Sequence, residues 1–82
     1  MYYIYILQCS DKTFYTGITT DLKRRILEHN SSKLGAKYTR GRRPVKLVYH
    51  HKYKNRSMAL KEEYRIKNST RKEKLKIIKN QP

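Results

Sequence analysis

Two short tyrosine-rich segments joined by a polar turn constrain the fold of this chain more than any other feature. Residues 2–8 and 13–18 are rich in Tyr, Ile, Phe and Thr, which are residue types that favour β-strands. Between them, Ser10-Asp11-Lys12 has the composition of a turn. The sequence therefore predicts a β-hairpin close to the start of the chain.

The length of that turn decides which side chains share a face of the hairpin. A three-residue turn places Tyr5 opposite Gly17 and Leu7 opposite Tyr15. Both phenols then project from one face, and Gly17 leaves space beside Tyr5 for a ligand. A two-residue turn would separate the two phenols. Both registers remain open at the level of the sequence.

A helix, an irregular segment and a third strand are predicted to follow the hairpin. Thr20 or Asp21 can cap a helix that continues to about residue 30. Residues 35–44 are polar and interrupted by glycine and proline, so they are predicted to form a basic loop without regular structure. Residues 45–53 alternate between apolar and polar side chains and predict a third strand.

Two further helices are predicted near the end of the chain. Residues 57–67 have the pattern of a helix. Thr70-Arg71-Lys72-Glu73 has the Thr-x-x-Glu form of a capping box, so a last helix should begin there. Leu75 and Ile78 are expected to supply the apolar edge of this last helix.

Together these elements predict one domain over residues 1–82, because 82 residues approach the lower limit for a self-sufficient core. The expected fold class is a layered α/β (α+β) arrangement, a three-stranded sheet flanked by helices. The direction of the third strand relative to the hairpin is left open.

The charge of the chain favours a polyanionic partner. Lys and Arg number 21 against 6 Asp and Glu, which gives a formal net charge of +15. Nucleic acid is favoured over a membrane, because no apolar run approaches the roughly 20 residues that span a bilayer. The single cysteine, Cys9, excludes an internal disulfide and fits a reduced, cytoplasmic compartment.

The basic loop is the best candidate for contact with nucleic acid. Acidic residues are missing between positions 30 and 58, so the charge of the loop has a single sign. Such a segment can follow a phosphate backbone, and an aromatic ring within it can stack on a base, although a merely solvated loop is the simpler alternative. The residues concerned are Lys33, Lys37, Tyr38, Arg40, Arg42, Arg43 and Lys46.

The helical pattern separates two adjacent arginines on the first helix. Arg25 and His29 border the face that carries Leu22 and Ile26, whereas Arg24 points away from it together with Glu28. Arg25 and His29 are therefore candidates for a pocket against the sheet. The alternatives are an Arg25 that lays its stem on apolar surface and a His29 that merely fills an interface.

On the second long helix, the pattern selects one carboxylate. Glu63 falls within the apolar arc, whereas Glu62 falls on the charged side. A carboxylate in an apolar stripe needs a compensating partner, because it loses its hydration there. Lys67, four residues later, is one such partner, and a divalent cation is the other.

These residues resemble the GIY-YIG nuclease superfamily, and in particular its small stand-alone bacterial members. The resemblance extends from residue 2 to about residue 78, with Tyr3 and Thr16 as departures from the two name-giving motifs. No asparagine follows the glutamate in the context that many family nucleases have. The matching segments are Tyr3-Ile4-Tyr5, Tyr15-Thr16-Gly17, Arg25 with His29 one turn later, and Ala59-Leu60-Lys61-Glu62-Glu63. In addition, Gly35-Ala36-Lys37-Tyr38-Thr39-Arg40 resembles the loop of the small stand-alone group.

The resemblance implies a metal-dependent endonuclease that hydrolyses DNA phosphodiesters. By analogy, Glu63 would bind one divalent cation, Mg²⁺ or Mn²⁺, and Tyr5 would act as general base, with His29 as the competing base. Arg25 would contact the transition state, and Tyr15 would position phosphate or water.

Two other functions fit the same sequence. The first is a nucleic-acid-binding module of the same fold with little or no intrinsic cleavage, aided by a protein partner for targeting. The second is a purely structural basic protein that binds RNA. The choice between DNA and RNA, and between branched and linear substrates, is not specified by the sequence.

Overall fold

An antiparallel sheet of three strands, covered by helices on both faces, forms the centre of the protein. The computed structural model describes residues 1–31 and 34–80, so Lys33 of the predicted basic loop lies outside the described residues. The strands have the spatial order β2-β1-β3. The elements are β1 (Tyr2–Gln8), β2 (Phe14–Thr19), α1 (Leu22–Ser31), α2 (Lys37–Arg40), β3 (Lys46–Tyr53), α3 (Arg56–Lys67) and α4 (Arg71–Lys79).

The hairpin turn has three residues. The backbone N–H of Cys9 donates to the carbonyl oxygen of Thr13 at 2.8 Å, and Lys12 lies in the left-handed region with φ 71°. A residue in this conformation closes the common three-residue hairpin loop. Tyr5 consequently pairs with Gly17, and Leu7 with Tyr15, which is the register that places both phenols on one face.

The third strand runs antiparallel to β1, which settles the direction that the sequence left open. It starts at Lys46, one residue later than predicted. The pairing shifts between Ile6 and Leu7, because Ile6 faces Tyr49 whereas Leu7 faces Leu47. The extra residue is a β-bulge, which changes the alternation of side chains along β3.

Each face of the sheet has its own apolar cluster. On one face, Ile4 and Ile6 pack against Ala59 and Ile66 of α3, all of them with 0% exposure. On the other face, α1 covers a second cluster. That cluster consists of Tyr5, Leu7, Cys9 and Val45, with Tyr15, Leu22, Ile26 and Leu47 packed around it.

The predicted apolar edge of α4 is only half correct. The helix begins with the expected capping box of Thr70 and Glu73. Ile77 and Ile78 pack against the α3 side of the sheet, but Leu75 remains 47% exposed. Adjacent isoleucines thus cover the sheet, and the helix is rotated so that Leu75 faces solvent.

The prediction of an entirely irregular segment over residues 35–44 was wrong, because Lys37–Arg40 forms the short helix α2. A Cβ on Gly35 would lie 2.7 Å from the carbonyl oxygen of Glu28 and 2.8 Å from the Cα of His29. The glycine therefore lets the chain rest directly on the backbone of α1. This tertiary contact outweighs the weak local propensity of the segment.

Candidate active site at the outer edge of strand β2

The phenol of Tyr5 extends from the central strand towards the edge strand β2 and lies against Gly17. A Cβ placed on Gly17 would lie 2.5 Å from Cζ and 3.0 Å from Cε1 of Tyr5, and it would overlap the hydroxyl oxygen. Cβ atoms in proteins essentially never approach another heavy atom outside their chain neighbours closer than 3.0 Å. The space beside Gly17 is thus filled by Tyr5 itself, which corrects the expectation that this space serves a ligand.

A chain of buried hydrogen bonds begins at the Tyr5 hydroxyl. Its oxygen lies 2.9 Å from Nε2 of His29, and Nδ1 of His29 lies 2.9 Å from Oγ1 of Thr39. His29 and Thr39 both have 0% exposure. Because α2 supplies Thr39, the short helix forms the inner wall of the site.

The direction of these hydrogen bonds follows from the single hydroxyl proton of Thr39. That hydroxyl donates to the carbonyl oxygen of Ala36 at 2.9 Å, so its lone pair is left to accept from Nδ1–H of His29. Nε2 then carries the lone pair and accepts from the hydroxyl of Tyr5. The backbone N–H of Ala36 also faces Nδ1, but at 3.4 Å it is the weakest of these contacts and does not decide the tautomer.

Burial keeps both partners of the central hydrogen bond neutral. Desolvation raises the pKa of Tyr5 to about 12, although the adjacent guanidinium of Arg25 acts in the opposite direction. Desolvation lowers the pKa of His29 to about 4, and the positive charges of Arg25 and Arg43 lower it further. At neutral pH, a neutral phenol therefore donates to a neutral imidazole.

Arg25 lies beside this pair, as the helical pattern predicted. Its side chain is 25% exposed, whereas that of Arg24 is 67% exposed. Nη1 of Arg25 donates to the carbonyl oxygen of Leu34 at 2.6 Å and to Oε1 of Glu28 at 3.0 Å. Glu28 was predicted to face solvent, but this ion pair draws its side chain to 18% exposure.

Tyr15 lies on the same face of the sheet and completes an aromatic group. Its ring centroid is 6.4 Å from that of Tyr5, 5.2 Å from that of His29 and 5.9 Å from that of Tyr38. Within residues 1–31 and 34–80, its hydroxyl has no hydrogen-bond partner. This phenol is therefore available to a bound group.

Glu63 approaches from the opposite face of the sheet, on α3. Its side chain is 16% exposed, and its negative charge contributes to the raised pKa of Tyr5, so the carboxylate and the phenol lie within electrostatic range. Nζ of Lys67 lies 3.4 Å from Oε2 of Glu63, which is the lysine partner that the sequence offered. Leu60 and Tyr64 are 36% and 73% exposed, because the buried arc of α3 is centred on Ala59 and Ile66.

The chemistry of Glu63 fits a hard divalent cation that shares its ligands with a substrate. Among the described residues, no group of three His, Cys, Asp or Glu side chains could hold a metal ion by itself. Mg²⁺, however, is often held by one or two carboxylates, with water and phosphate oxygens completing the shell. Glu63 is partly exposed, and among the described residues its ion-pair partner is Lys67, so it can serve as such a ligand once Lys67 moves away.

The arginines of the predicted basic loop differ in how they are used. Arg42 lies over the ring of Tyr38, 4.1 Å from its centroid, and pairs with Asp11 of the hairpin turn at 3.0 Å. Nε of Arg43 donates to the carbonyl oxygen of His29 at 2.6 Å. These two arginines attach the segment to the hairpin and to α1. By contrast, the side chains of Lys37 and Arg40 are exposed.

Tyr38 also differs from its expected role. Its ring stacks on Tyr15 at an interplanar angle of 27° and contacts the guanidinium of Arg42. The ring is therefore occupied within the protein, although it remains 38% exposed. Stacking on a base, as the sequence suggested, would require this cluster to rearrange.

Two important residues of the site were not identified from the sequence. Thr39 orients His29, and Gly35 allows α2 to approach α1. The sequence does hold one signal for this approach, namely Gly35 at the start of the basic segment, because glycine often marks a close approach of two backbones. Nothing in the local sequence indicates that Thr39 faces a histidine ten residues earlier.

Comparison with known proteins was made by sequence and by structure. Residues 1–76 match the model of the GIY-YIG catalytic domain. A UPF0213 protein of Syntrophus aciditrophicus is 55% identical over 80 residues, which cover 98% of this chain and 92% of the relative. A UPF0213 protein of Haloquadratum walsbyi is 49% identical over 86 residues, which cover 99% of this chain and 96% of the relative.

Two solution NMR structures have the same fold. A UPF0213 protein from Bacillus halodurans is 44% identical, with a TM-score of 0.63 over 96% of this chain and 84% of that chain. A protein from E. faecalis is 48% identical, with a TM-score of 0.66 over 95% of this chain and 82% of that chain. In the part of the chain that the structure describes, no helix is long and apolar enough to cross a membrane.

Proposed function

Because the chain belongs to the GIY-YIG catalytic domain family, a nuclease-type family, we propose that it is a divalent-metal-dependent endonuclease that hydrolyses DNA phosphodiester bonds. The observation that carries this proposal is the hydrogen-bonded pair of Tyr5 and His29 beside Arg25, with Glu63 within electrostatic range. A general base, a cation that can contact phosphate and a metal-binding carboxylate are the groups that such hydrolysis needs.

Tyr5 is the proposed general base for the attacking water. With a pKa of about 12, only about one phenol in 10⁵ is ionised at pH 7. Burial raises the pKa of Tyr5 and lowers that of His29, so transfer of the phenol proton to the imidazole is unfavourable in the free protein. The phenol proton is therefore lost to solvent before Tyr5 accepts a proton from the attacking water, and this ionisation depends on positive charge that accompanies the substrate.

His29 is proposed as a positioning residue rather than as the competing base. Its ring is completely buried, Nε2 contacts Tyr5, and Nδ1 contacts Thr39. It has no free nitrogen for a water molecule. Its role is to accept a hydrogen bond from the phenol and hold the hydroxyl in one orientation.

Arg25 and Tyr15 are proposed to contact the scissile phosphate. The guanidinium of Arg25 is always charged and can donate to non-bridging oxygens as negative charge develops on them. Its ion pair with Glu28 fixes its position beside Tyr5. The free hydroxyl of Tyr15 can hydrogen-bond to a phosphate oxygen or to the attacking water.

Glu63 is the proposed metal ligand. A bound Mg²⁺ or Mn²⁺ would supply Lewis-acid stabilisation of the leaving oxygen. Lys67 neutralises the carboxylate in the free protein and would be released when the cation binds. Because a single carboxylate forms a weak site, we expect metal and substrate to bind together.

The exposed side chains of Lys37 and Arg40 are the proposed contacts with the DNA backbone. The main role of the neighbouring side chains of Tyr38, Arg42 and Arg43 is structural, because they attach this surface to the hairpin and to α1. With a net charge of +15, the protein should bind DNA in a salt-dependent manner. The domain is small for base-specific readout, so we propose that a protein partner assists its targeting.

A second candidate function is a nucleic-acid-binding module of the same fold with little intrinsic cleavage. The ion pair between Glu63 and Lys67 favours it, because the carboxylate is already neutralised without a metal. Both functions predict that the protein binds DNA, but only the endonuclease requires a divalent metal.

Cleavage by the Glu63→Gln variant tests the proposal. Labelled linear, flapped and branched DNAs are incubated with purified protein and Mn²⁺ or Mg²⁺, and Glu62→Gln is the matched control. Glu62 is on the same helix and pairs with Arg65. We expect Glu63→Gln to abolish cleavage but retain DNA binding, and Glu62→Gln to cleave normally. Undiminished cleavage by Glu63→Gln would refute the metal role, and binding without cleavage by the wild type would support the binding module.

A further inference from the structure

A cleft lies at one end of the sheet, next to the beginning of α3. It has a volume of about 280 Å³ and is lined by Tyr2, Ile18, Thr19, Thr20 and Arg56. None of these residues takes part in the hydrogen-bonded chain around Tyr5. The cleft is therefore distinct from the proposed catalytic groups.

The lining of this cleft combines an apolar floor with a free cation. Tyr2 and Ile18 are partly buried and pack against the core. Arg56 is exposed and has no hydrogen bond or ion pair with any residue that the structure describes. The hydroxyl of Thr19 is occupied by the backbone N–H of Asp21 at 3.1 Å, whereas Thr20 is exposed at the rim.

Two elements, β2 and α3, connect the cleft with residues of the proposed active site. Arg56 and Glu63 are seven residues apart on α3, so they lie on one side of the helix and about 10 Å apart. Thr20 follows Gly17 by three residues, which is also about 10 Å along an extended chain. Two lining residues of the cleft thus lie about 10 Å along their own elements from Glu63 and Gly17.

We propose that this cleft binds one unpaired nucleotide of the strand that is cleaved. The base would lie on the apolar floor formed by Tyr2 and Ile18, and a phosphate would contact Arg56. This inference rests on the proposed function, since it assumes that the scissile phosphate lies beside Glu63. It adds a substrate class, namely nucleic acid with an unpaired segment next to the cleavage position.

The size of the cleft supports a single nucleotide over a duplex. Its volume is near the lower end of the range for small-molecule sites, about 300 Å³. A paired base is stacked on both faces within a helix and cannot enter such a cleft, whereas an unpaired base offers its faces to apolar and aromatic side chains.

The experiment is a titration of ¹⁵N-labelled protein with a four-residue oligothymidylate, without divalent metal. Parallel titrations use oligouridylate of the same length and a blunt DNA duplex that is long enough to stay paired, with affinities compared at equal phosphate concentration. We expect both single strands to shift the amide resonances of Tyr2, Ile18, Thr20 and Arg56. Shifts with oligouridylate would show that the cleft accepts ribose as well as deoxyribose.

Arg56→Gln supplies the quantitative test, with Lys61→Gln as the matched control. Lys61 is exposed and points away from Arg56 on the same helix. Arg56→Gln should weaken single-strand binding about five- to tenfold and reduce the salt slope by about 0.7, the share of one phosphate contact. Lys61→Gln should have little effect, and neither substitution should affect duplex binding.

The inference would be overturned if Arg56→Gln and Lys61→Gln weakened single-strand binding by the same factor. It would also be overturned if Arg56→Gln weakened duplex binding as much as single-strand binding. The absence of shifts around the cleft would also overturn it. These measurements need no cleavage, so their outcome is separate from that of Glu63→Gln. A protein without nuclease activity that still binds oligothymidylate in the cleft would refute the proposed function and would leave the cleft as a site for one unpaired nucleotide.

Discussion

The hydroxyl of Tyr5 lies against Gly17, its cross-strand partner, so that no side chain fits at that position. The glycine thus determines where the phenol lies. Without it, the ring could not cross from the central strand to the edge strand. The hydrogen bond between Tyr5 and His29 depends on this placement.

We predict that Gly17→Ala lowers cleavage about a hundredfold, because the methyl group displaces the phenol by roughly an ångström. The rate of DNA cleavage measures the effect. Gly41→Ala is the control, since a Cβ at Gly41 meets nothing within 4 Å. Wild-type activity in Gly17→Ala would show that the position of the Tyr5 hydroxyl is unimportant.

The pH dependence of cleavage distinguishes Tyr5 from His29 as the base. A base must be deprotonated, so a phenol with a pKa of about 12 predicts that kcat/KM rises about tenfold per pH unit from pH 6.5 to 9.5. An imidazole with a pKa of about 4 would already be deprotonated and would give a level profile. Tyr5→Phe should remove the rise, and a rise that persists in this variant would exclude Tyr5.

Replacing each of two buried threonines with valine should change the free energy of unfolding in opposite directions. Among the described residues, Oγ1 of Thr16 is buried without a hydrogen-bond partner, whereas Thr39 bonds to both His29 and Ala36. We expect Thr16→Val to increase the free energy of unfolding by about 1 kcal/mol, and Thr39→Val to decrease it by about 2 kcal/mol. Urea denaturation measures both changes, and a shared sign would contradict the hydrogen-bond assignment.

The cations of the basic segment should separate into binding and structural groups. Replacing both Lys37 and Arg40 with glutamine should lower the salt slope of duplex binding by about 1.8, with unchanged stability. Arg42→Gln should instead lower the free energy of unfolding by about 1 kcal/mol, because it loses Tyr38 and Asp11. Fluorescence anisotropy and urea denaturation measure the two quantities. A change in DNA binding by Arg42→Gln without a change in its free energy of unfolding would contradict this division.

Much of the architecture could be predicted because its signals are local. The alternation of residues in the hairpin, the capping box at Thr70 and the helical phase of Glu63 each involve only a few neighbouring residues. Three strands with flanking helices followed from them and were confirmed. The register that brings Tyr5 and Tyr15 to one face followed once the turn had three residues.

What could not be predicted depends on contacts between distant segments. The ring of Tyr5 lies over Gly17 because of packing around it, and no strand pattern specifies a rotamer. Helix α2 exists because Gly35 rests on α1, a contact that local propensity does not describe. The same holds for Tyr38, whose stacking on Tyr15 joins residues 23 positions apart.

The central place of β1 has a consequence for how the protein forms during translation. Its first partner, β2, follows at once, but β3 is complete only at Tyr53. A growing chain therefore carries β1 with one open edge while more than 30 further residues are added between β2 and the end of β3. In that interval, the open edge can pair with strands of other chains. The positive charge of the nascent chain then acts as protection, because like-charged copies repel each other.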